Sequence, residues 1–231
     1  MQRIAIFSVP RSGSTWLGEL LNSSPTVKYC YQPLFSYATK DFLDETSDAG
    51  RIRDFFDILA RSDDSFQMQA EQRAGGVLPQ FDKAGRITHV AFKEVRYINL
   101  VPHLLATDPD LRLVLLVRNP VDVMSSWFRA PREFHPDWSK DEEWYEAAKK
   151  NQGRPEEFFG FRGWLEATRI FQQTAERHPD RVRLQRYEDL LKDTPVQAAQ
   201  IFDHVGLPVT PQTSAFIGES RATTVDDTYS V

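Results

Sequence analysis

Short apolar runs alternate along the chain with stretches in which apolar residues recur every three or four positions. The runs are typical of strands buried on both faces, and the recurring pattern is typical of helices that pack one face against a sheet. Such alternation predicts an α/β fold with a parallel sheet between two layers of helices. The predicted strands are Arg3–Val9, Val27–Tyr31, Thr88–Val95, Leu111–Arg118 and Val182–Gln185. The clearest predicted helices are Ser14–Asn22, Pro120–Trp127, Phe158–His178 and Pro195–Val205.

Two stretches do not follow this pattern. Residues 40–86 are polar, contain turn signals such as Gly75-Gly76, and are expected to include short helices. Residues 128–157 mix prolines, aromatic rings and charges. Irregular segments of that length inside a compact domain usually carry function. We therefore predict one domain over residues 1–231, with these two stretches as elaborated loops.

Composition narrows the class of protein. The formal net charge of −5 argues against a general nucleic-acid binder. Cys30 is the single cysteine, which suits core packing in a reducing compartment. No stretch approaches the ~18 consecutive apolar residues of a membrane span. From these features we expect a cytoplasmic protein with no nucleic-acid partner.

The first predicted strand is followed at once by a glycine-containing turn and the first predicted helix. Such a turn directs several backbone N–H groups at one point, and the helix N-terminus adds partial positive charge. The side chains of Arg11, Ser12, Ser14 and Thr15 add further donors around Gly13. The alternative is an ordinary turn that needs glycine for its geometry. Together, the turn, the helix N-terminus and these side chains predict an anion site.

The kind of anion is narrowed by what the turn lacks. In the frame G-x-x-x-x-G-K-[ST] of nucleoside triphosphatases, Ser8 replaces the first glycine and Ser14 replaces the lysine. Those enzymes end a neighbouring strand in an aspartate that helps to hold magnesium, whereas here the strand ends in Arg118. Ser126 follows on the next helix, where its hydroxyl can support the same anion. Two cationic sites favour a nucleotide phosphorylated at both its 5′ and 3′ positions.

Three segments, at residues 8–37, 90–127 and 186–208, resemble the Golgi carbohydrate 6-O-sulfotransferases. These enzymes take a sulfuryl group from 3′-phosphoadenosine-5′-phosphosulfate (PAPS) and leave the desulfated nucleotide, PAP. The resemblance implies a P-loop-type three-layer fold with a central parallel sheet, PAPS as the co-substrate, and a carbohydrate-like hydroxyl acceptor. Sulfuryl transfer by positioned cations requires no metal, and the five histidines show no metal-ligand spacing.

The resemblance also implies roles for individual residues. Trp16 falls where an aromatic ring can approach the adenine, or else it anchors its helix to the core. Tyr187 falls near the adenine or the sulfuryl group, or else it packs a corner of the fold. The nucleotide-binding residues implied are Arg11, Ser12, Gly13, Ser14 and Thr15 for the 5′-phosphosulfate, Trp16 and Tyr187 as described, Arg118 and Ser126 for the 3′-phosphate, and Arg221 over the cofactor.

The resemblance to these sulfotransferases is less complete at the catalytic residues than at the nucleotide-binding residues. Arg11 and Lys93 are candidate cations for the charge that develops on the leaving nucleotide. Similar enzymes often carry a glutamate where this chain has Gln32, and an amide cannot accept a proton. Glu94 is the nearest candidate base, although strand alternation directs Lys93 and Glu94 to opposite faces unless the strand ends or twists there. Glu19 is expected to face solvent.

The acceptor is expected to meet residues 127–145, where aromatic rings are concentrated. Aromatic faces suit the apolar face of a sugar, so Phe134, His135 and Trp138 are predicted to form an acceptor wall, and Gln32 is expected to lie near the acceptor. Trp127 and Trp144 are expected to pack this segment onto the domain.

Two other functions stay open at this stage, and the acceptor and the oligomeric state are not assigned. Because Gln32 cannot act as a base, a non-catalytic domain that binds PAP or PAPS is one alternative. A small-molecule kinase is less favoured because the P-loop lysine is missing.

Overall fold

One parallel sheet organises the computed structural model, which describes residues 1–222, the last two by their backbone only. The spatial order of the strands is β2-β3-β1-β4-β5, and each pairing is parallel. The strands are β1 (Gln2–Ser8), β2 (Val27–Tyr31), β3 (His89–Glu94), β4 (Leu111–Val117) and β5 (Val182–Arg186). The α-helices are α1 (Ser14–Asn22), α2 (Ala49–Arg61), α3 (Ala70–Ala74), α4 (Val101–Thr107), α5 (Pro120–Phe128), α6 (Lys140–Glu143), α7 (Ala148–Asn151), α8 (Gly160–Arg177), α9 (Tyr187–Lys192), α10 (Thr194–Val205) and α11 (Pro211–Ala222).

The predicted α/β fold class is confirmed. Each strand begins and ends within one residue of its predicted bounds, and the four predicted helices lie within two residues of theirs. The match is close because continuous apolar runs leave little doubt about where a doubly buried strand begins and ends.

Two apolar layers cover the sheet. Ile4 and Ile6 of β1 pack with α1, α10 and α11 on one face. Ala5 and Phe7 pack with α2, α4 and α8 on the other. Alternate residues of a strand point to opposite faces, so the central residues of β1, from Ile4 to Phe7, are apolar because both faces of the sheet are covered there.

Part of the predicted loop at residues 40–86 is core. Helix α2 begins after Asp48, whose side chain accepts a hydrogen bond from the backbone N–H of Arg51 at 2.8 Å. Phe55 and Leu59 of this helix are buried against the sheet. Helices are expected in this stretch, but α2 is longer than the short helices predicted there. Its charged residues lie on the solvent face, between the apolar positions that pack on the sheet.

The outer edge of β2 is covered by residues 62–69. The backbone N–H of Tyr31 donates to the carbonyl of Gln67 at 2.8 Å, on the side of β2 away from β3. The ammonium of Lys28 donates to the carbonyl of Ser62 at 2.6 Å. These bonds satisfy polar groups that would otherwise be open at the edge of the sheet.

Glu19 is wholly buried, so the expectation that it faces solvent is wrong. Its carboxylate receives two hydrogen bonds from the guanidinium of Arg73, at 2.6 and 2.9 Å, and a third from the amide of Asn22 at 3.0 Å. The helical position is correct, but the segment after α2 folds back over that face of α1. A buried carboxylate is tolerated because it is paired and hydrogen-bonded.

Cys30 is buried, as predicted, and burial raises the pKa of its thiol to about 12. None of the helices within residues 1–222 has the length and apolar character needed to cross a bilayer.

Replacing Arg73 with methionine tests the importance of the buried pair. Arg73→Met leaves the Glu19 carboxylate buried with Asn22 as its remaining partner. We expect the free energy of unfolding at pH 7 to fall by about 3–5 kcal/mol, measured by urea denaturation.

The double variant Glu19→Gln/Arg73→Met carries no buried charge at this position and is expected to lose less stability than Arg73→Met. Arg53→Met, at an exposed arginine of α2, is the control and should change stability by less than about 0.5 kcal/mol. Equal losses in Arg73→Met and Arg53→Met would contradict the argument.

Candidate active site

The turn between β1 and α1 lies at the carboxyl edge of the sheet, between β3 and β4. Gly13 has φ +85°, a backbone conformation that glycine adopts without strain. A Cβ at this position would lie 2.4 Å from Cε2 of the Tyr187 ring, so space as well as backbone requires glycine. Arg11 also has a positive φ, of 69°. The turn is therefore held in a tight conformation at the N-terminus of α1, the geometry of an anion site.

Arg118 extends from the end of β4 toward the same turn. Its guanidinium carbon lies 4.6 Å from the centroid of the Tyr187 ring, and Nη1 lies 3.5 Å from the carbonyl oxygen of Arg11. Nε of Arg11 donates to the hydroxyl of Ser126 at 3.2 Å. The structure thus brings Arg11, Arg118, Ser126 and Tyr187 together, although they lie far apart in the sequence.

Several polar atoms around the turn are buried without a hydrogen-bond partner among the described residues. They are the hydroxyls of Ser8 and Ser12 and Nε of Arg118. Leaving such groups unpaired costs about 1–3 kcal/mol each, and phosphate oxygens would accept from all three. The donors present therefore fit a phosphorylated ligand. Sequence reasoning missed Ser8, although its place at the end of an apolar strand is a usable signal.

The other predicted residues of the nucleotide loop are placed as follows. Ser14 is buried and Thr15 is partly buried in the first turn of α1. The ring of Trp16 stacks on that of Phe216 of α11, with centroids 5.9 Å apart. This contact agrees with Trp16 as a helix anchor, and its approach to adenine stays a prediction. The side chain of Arg221 lies outside the described residues.

Lys93 is buried at the carboxyl end of β3, with its ammonium 4.3 Å from the centroid of the Tyr31 ring. Burial lowers the pKa of this ammonium more than the negative charge of Glu94 raises it, and the nearby charges of Arg96 and Arg11 lower it further. A cation held close to Arg11 in dry surroundings favours an anionic ligand, because a negative charge would offset all three effects.

Glu94 lies on the other face of the sheet. Strand β3 includes both Lys93 and Glu94, so the alternation of a strand separates them. The Glu94 carboxylate accepts a hydrogen bond from the backbone N–H of Leu34 at 2.8 Å and is wholly buried. Burial raises the pKa of this carboxyl, which favours its neutral form. Oε1 of Glu94 stabilises the turn after β2, and Oε2 has no hydrogen-bond partner among the described residues. The role of Glu94 as a base stays a prediction.

Gln32 is almost completely buried where β2 ends. Its backbone N–H donates to the carbonyl of Lys93 at 2.8 Å, and its Oε1 accepts from Nη1 of Arg96 at 3.0 Å. Arg96 in turn donates through Nε to Glu157 at 2.9 Å. Gln32 is therefore a fixed, neutral group beside two cations. Arg96 was missed by sequence reasoning, although it lies only two residues after Glu94.

The aromatic segment is divided between core and surface. Phe134 is buried among Trp127 and Phe128, with ring centroids 5.1 Å from each. The expectation that Phe134 lines an open acceptor wall conflicts with this burial. The predicted packing of Trp127 agrees with the structure, whereas Trp144 is 46% exposed and packs only partly, against Phe161 of α8. His135 is exposed and Trp138 is partly exposed. These two side chains are accessible to an acceptor.

A separate cavity of about 470 Å³ lies beside the amino-terminal part of β2 and contains cationic side chains. Each of them is already engaged: Lys28 with Ser62, Arg73 with Glu19, and Lys83 with backbone carbonyls at the end of α1. This cavity is not part of the site. Within residues 1–222, no group of three or more His, Cys, Asp or Glu side chains is placed to hold a metal ion.

Comparison with known proteins gives relatives of one kind. A model of the Sulfotransferase family matches residues 3–211. Human carbohydrate sulfotransferase 3 is 33% identical over 139 residues, which cover 57% of this chain and 28% of that protein. Mouse carbohydrate sulfotransferase 5 is 32% identical over 152 residues, which cover 56% of this chain and 34% of that protein. The matched residues amount to about a third of the length of these relatives.

Two solved structures share the fold. The sulfotransferase domain from the curacin biosynthetic pathway has a TM-score of 0.54 at 19% identity, covering 91% of this chain and 75% of that one. Mouse sulfotransferase SULT7A1 complexed with PAP has a TM-score of 0.55 at 15% identity, covering 98% and 67%. The match to the family model spans nearly the whole described structure, and the chain belongs to the sulfotransferase family.

Proposed function

We propose that this protein transfers a sulfuryl group from PAPS to a hydroxyl of a carbohydrate or glycoconjugate. The observation that carries the proposal is the pair of adjoining anion sites at the ends of β1 and β4. Their unpartnered donors, Ser8, Ser12 and Arg118, suit a ligand with two phosphate-like groups. The mouse neighbour complexed with PAP has the same fold, and the curated relatives named above are carbohydrate sulfotransferases.

The reaction is an in-line displacement at sulfur. The acceptor oxygen forms a bond to sulfur as the bond from sulfur to the bridging phosphate oxygen breaks, and negative charge develops on that leaving oxygen. Arg11 and the N–H groups at the start of α1 lie where they would stabilise this charge, with Lys93 as a second cation. The same groups would orient the nucleotide.

A second function is supported by Gln32, the amide at a position where similar enzymes carry a glutamate. On that alternative the protein binds PAP or PAPS without transferring the sulfuryl group. A transfer assay with radiolabelled PAPS over sugars, glycolipids, phenols and hydroxylated acyl chains separates the two. A cytoplasmic location also stays a proposal, based on the single buried cysteine.

Arg118→Ala tests the second anion site. We expect this variant to bind PAP more weakly by ~2–4 kcal/mol, because a phosphate is left without its buried partner. Binding of adenosine 5′-monophosphate should hardly change. Isothermal calorimetry measures both, with Arg129→Ala, at an exposed arginine nearby, as the matched control. Equal losses for the two nucleotides would remove the assignment.

Transfer is expected to be complete in excess EDTA with metal-free PAPS. The reason is that Ser14 and Arg118 stand where nucleoside triphosphatases have their lysine and metal-binding aspartate. The measurement is the initial rate of transfer with and without the chelator. Activity that disappears with EDTA and returns with magnesium would favour a kinase-like mechanism.

Replacing His135 and Trp138 together with alanine tests the accessible part of the acceptor wall. We expect a higher acceptor KM or a lower kcat, because aromatic and polar contacts to the acceptor are lost. PAP affinity should stay within about threefold, equivalent to less than ~1 kcal/mol. Phe134 is left unchanged so that the core remains intact. Wild-type kinetics, or a loss of PAP affinity first, would place the acceptor elsewhere.

A further inference from the structure

The proposed site lacks an obvious group to accept the acceptor's proton. A hydroxyl has a high pKa, so transfer to it benefits from a general base. Gln32 is an amide, and Glu94 lies on the other face of the sheet with its carboxyl committed to the turn after β2. Glu157 is held by Arg96 and Arg154 and has only 2% of its side chain exposed.

Glu133 comes from outside the strands, on the turn that follows α5. Its backbone is fixed at both groups: its N–H donates to the carbonyl of Ala130 at 2.8 Å, and its carbonyl accepts from the indole N–H of Trp127 at 3.2 Å. Trp127 is fully buried in the aromatic cluster with Phe134. A side chain mounted on such a turn has a fixed origin, as a catalytic group requires.

The Glu133 carboxylate lies near charged and polar side chains at the carboxyl ends of β2 and β3. It is close enough for its charge to act on Lys93, Arg96 and the Tyr31 hydroxyl. Its own ion pair is with Lys150 of α7. The side chain keeps 27% of its surface exposed, in contrast to Glu94 and Glu157. The backbone carbonyl of Lys150 accepts a hydrogen bond from Nη2 of Arg154 at 3.3 Å, and Arg154 pairs with Glu157, the partner of Arg96. A carboxylate that remains accessible to a ligand is thus connected to the side chains around Gln32.

We propose that Glu133 is the general base that accepts the proton of the acceptor hydroxyl, with Lys150 as a positioning residue that holds the carboxylate in place. This inference rests on the proposed function. As the acceptor oxygen forms its bond to sulfur, its O–H bond breaks and the proton passes to the Glu133 carboxylate. The bond between sulfur and the bridging oxygen breaks, and PAP leaves with that electron pair. The proton is then released to water, so no oxidant or further reactant is needed.

The test uses the whole protein, radiolabelled PAPS and an acceptor that the wild-type protein sulfates. Glu133→Gln keeps the size of the side chain and removes its basicity. We expect kcat to fall by about 10²–10⁴-fold, the range for loss of a general base, and the acid limb of the pH profile of kcat/KM to disappear. PAP affinity and acceptor KM should stay within about threefold. The control is Glu176→Gln, at an exposed carboxylate of α8 outside the predicted acceptor segment, which should leave kcat unchanged.

Two further variants distinguish a base from a structural ion pair. Lys150→Met breaks the ion pair but keeps the carboxylate, so its kcat should remain at least tenfold above that of Glu133→Gln. Gln32→Glu, added to Glu133→Gln, places a carboxylate beside Arg96 and should recover at least tenfold in kcat. Equal losses in Glu133→Gln and Lys150→Met, matched by equal losses of thermal stability, would overturn the proposal in favour of a structural role.

The outcomes also separate this inference from the proposed function. Transfer by the wild-type protein with unchanged kcat in Glu133→Gln overturns the assignment of the base alone. No transfer by the wild-type protein to any acceptor of the panel, with PAP still bound, overturns the proposed function and the base together.

Discussion

The contact between Tyr187 and Gly13 is the interaction on which the site depends. The ring lies where any side chain at position 13 would have to be, and the guanidinium of Arg118 lies against that ring. Three segments meet there: the turn after β1, the end of β4 and the start of α9. Because the ring fixes the turn while the arginine lies against the ring, one aromatic side chain holds the two candidate anion sites relative to each other. Their spacing is a property of the fold and does not depend on a flexible loop.

The carboxyl edge of the sheet is rich in positive charge, although the chain as a whole is negatively charged. The protein carries a net charge of −5, yet Arg11, Lys93, Arg96 and Arg118 converge where β1, β3 and β4 end. Cations this close repel one another. The pKa of Lys93 is lowered above all by burial, and the charges of Arg96 and Arg11 make smaller contributions in the same direction. A ligand that brings negative charge would offset this repulsion. The site is therefore built for the bound state more than for the empty one.

The sheet and the nucleotide loop could be predicted because local patterns determine them. A doubly buried strand is a continuous apolar run, and a tight turn before a helix shows as glycine among hydroxyl residues. The misassignments have a different origin, since they concern which surfaces are covered by distant parts of the chain. Glu19 has a helical position that looks exposed until Arg73 covers it, and Phe134 looks like a loop aromatic until Trp127 encloses it. Glu133 was passed over because nothing in its neighbourhood in the sequence indicates which strands its turn will face.

The bonds along the outer side of β2 have a consequence for how copies of this protein behave toward one another. An open strand edge offers a row of donors and acceptors to any extended segment of a second chain, and growth by strand addition is a common route to aggregation. Here the carbonyl of Gln67 accepts a hydrogen bond from the backbone N–H of Tyr31 in that row, and the Lys28 ammonium donates to the carbonyl of Ser62. The segment that sequence patterns describe as an irregular loop thus closes one edge of the sheet to strand addition. Shortening it would therefore endanger solubility before it affected chemistry.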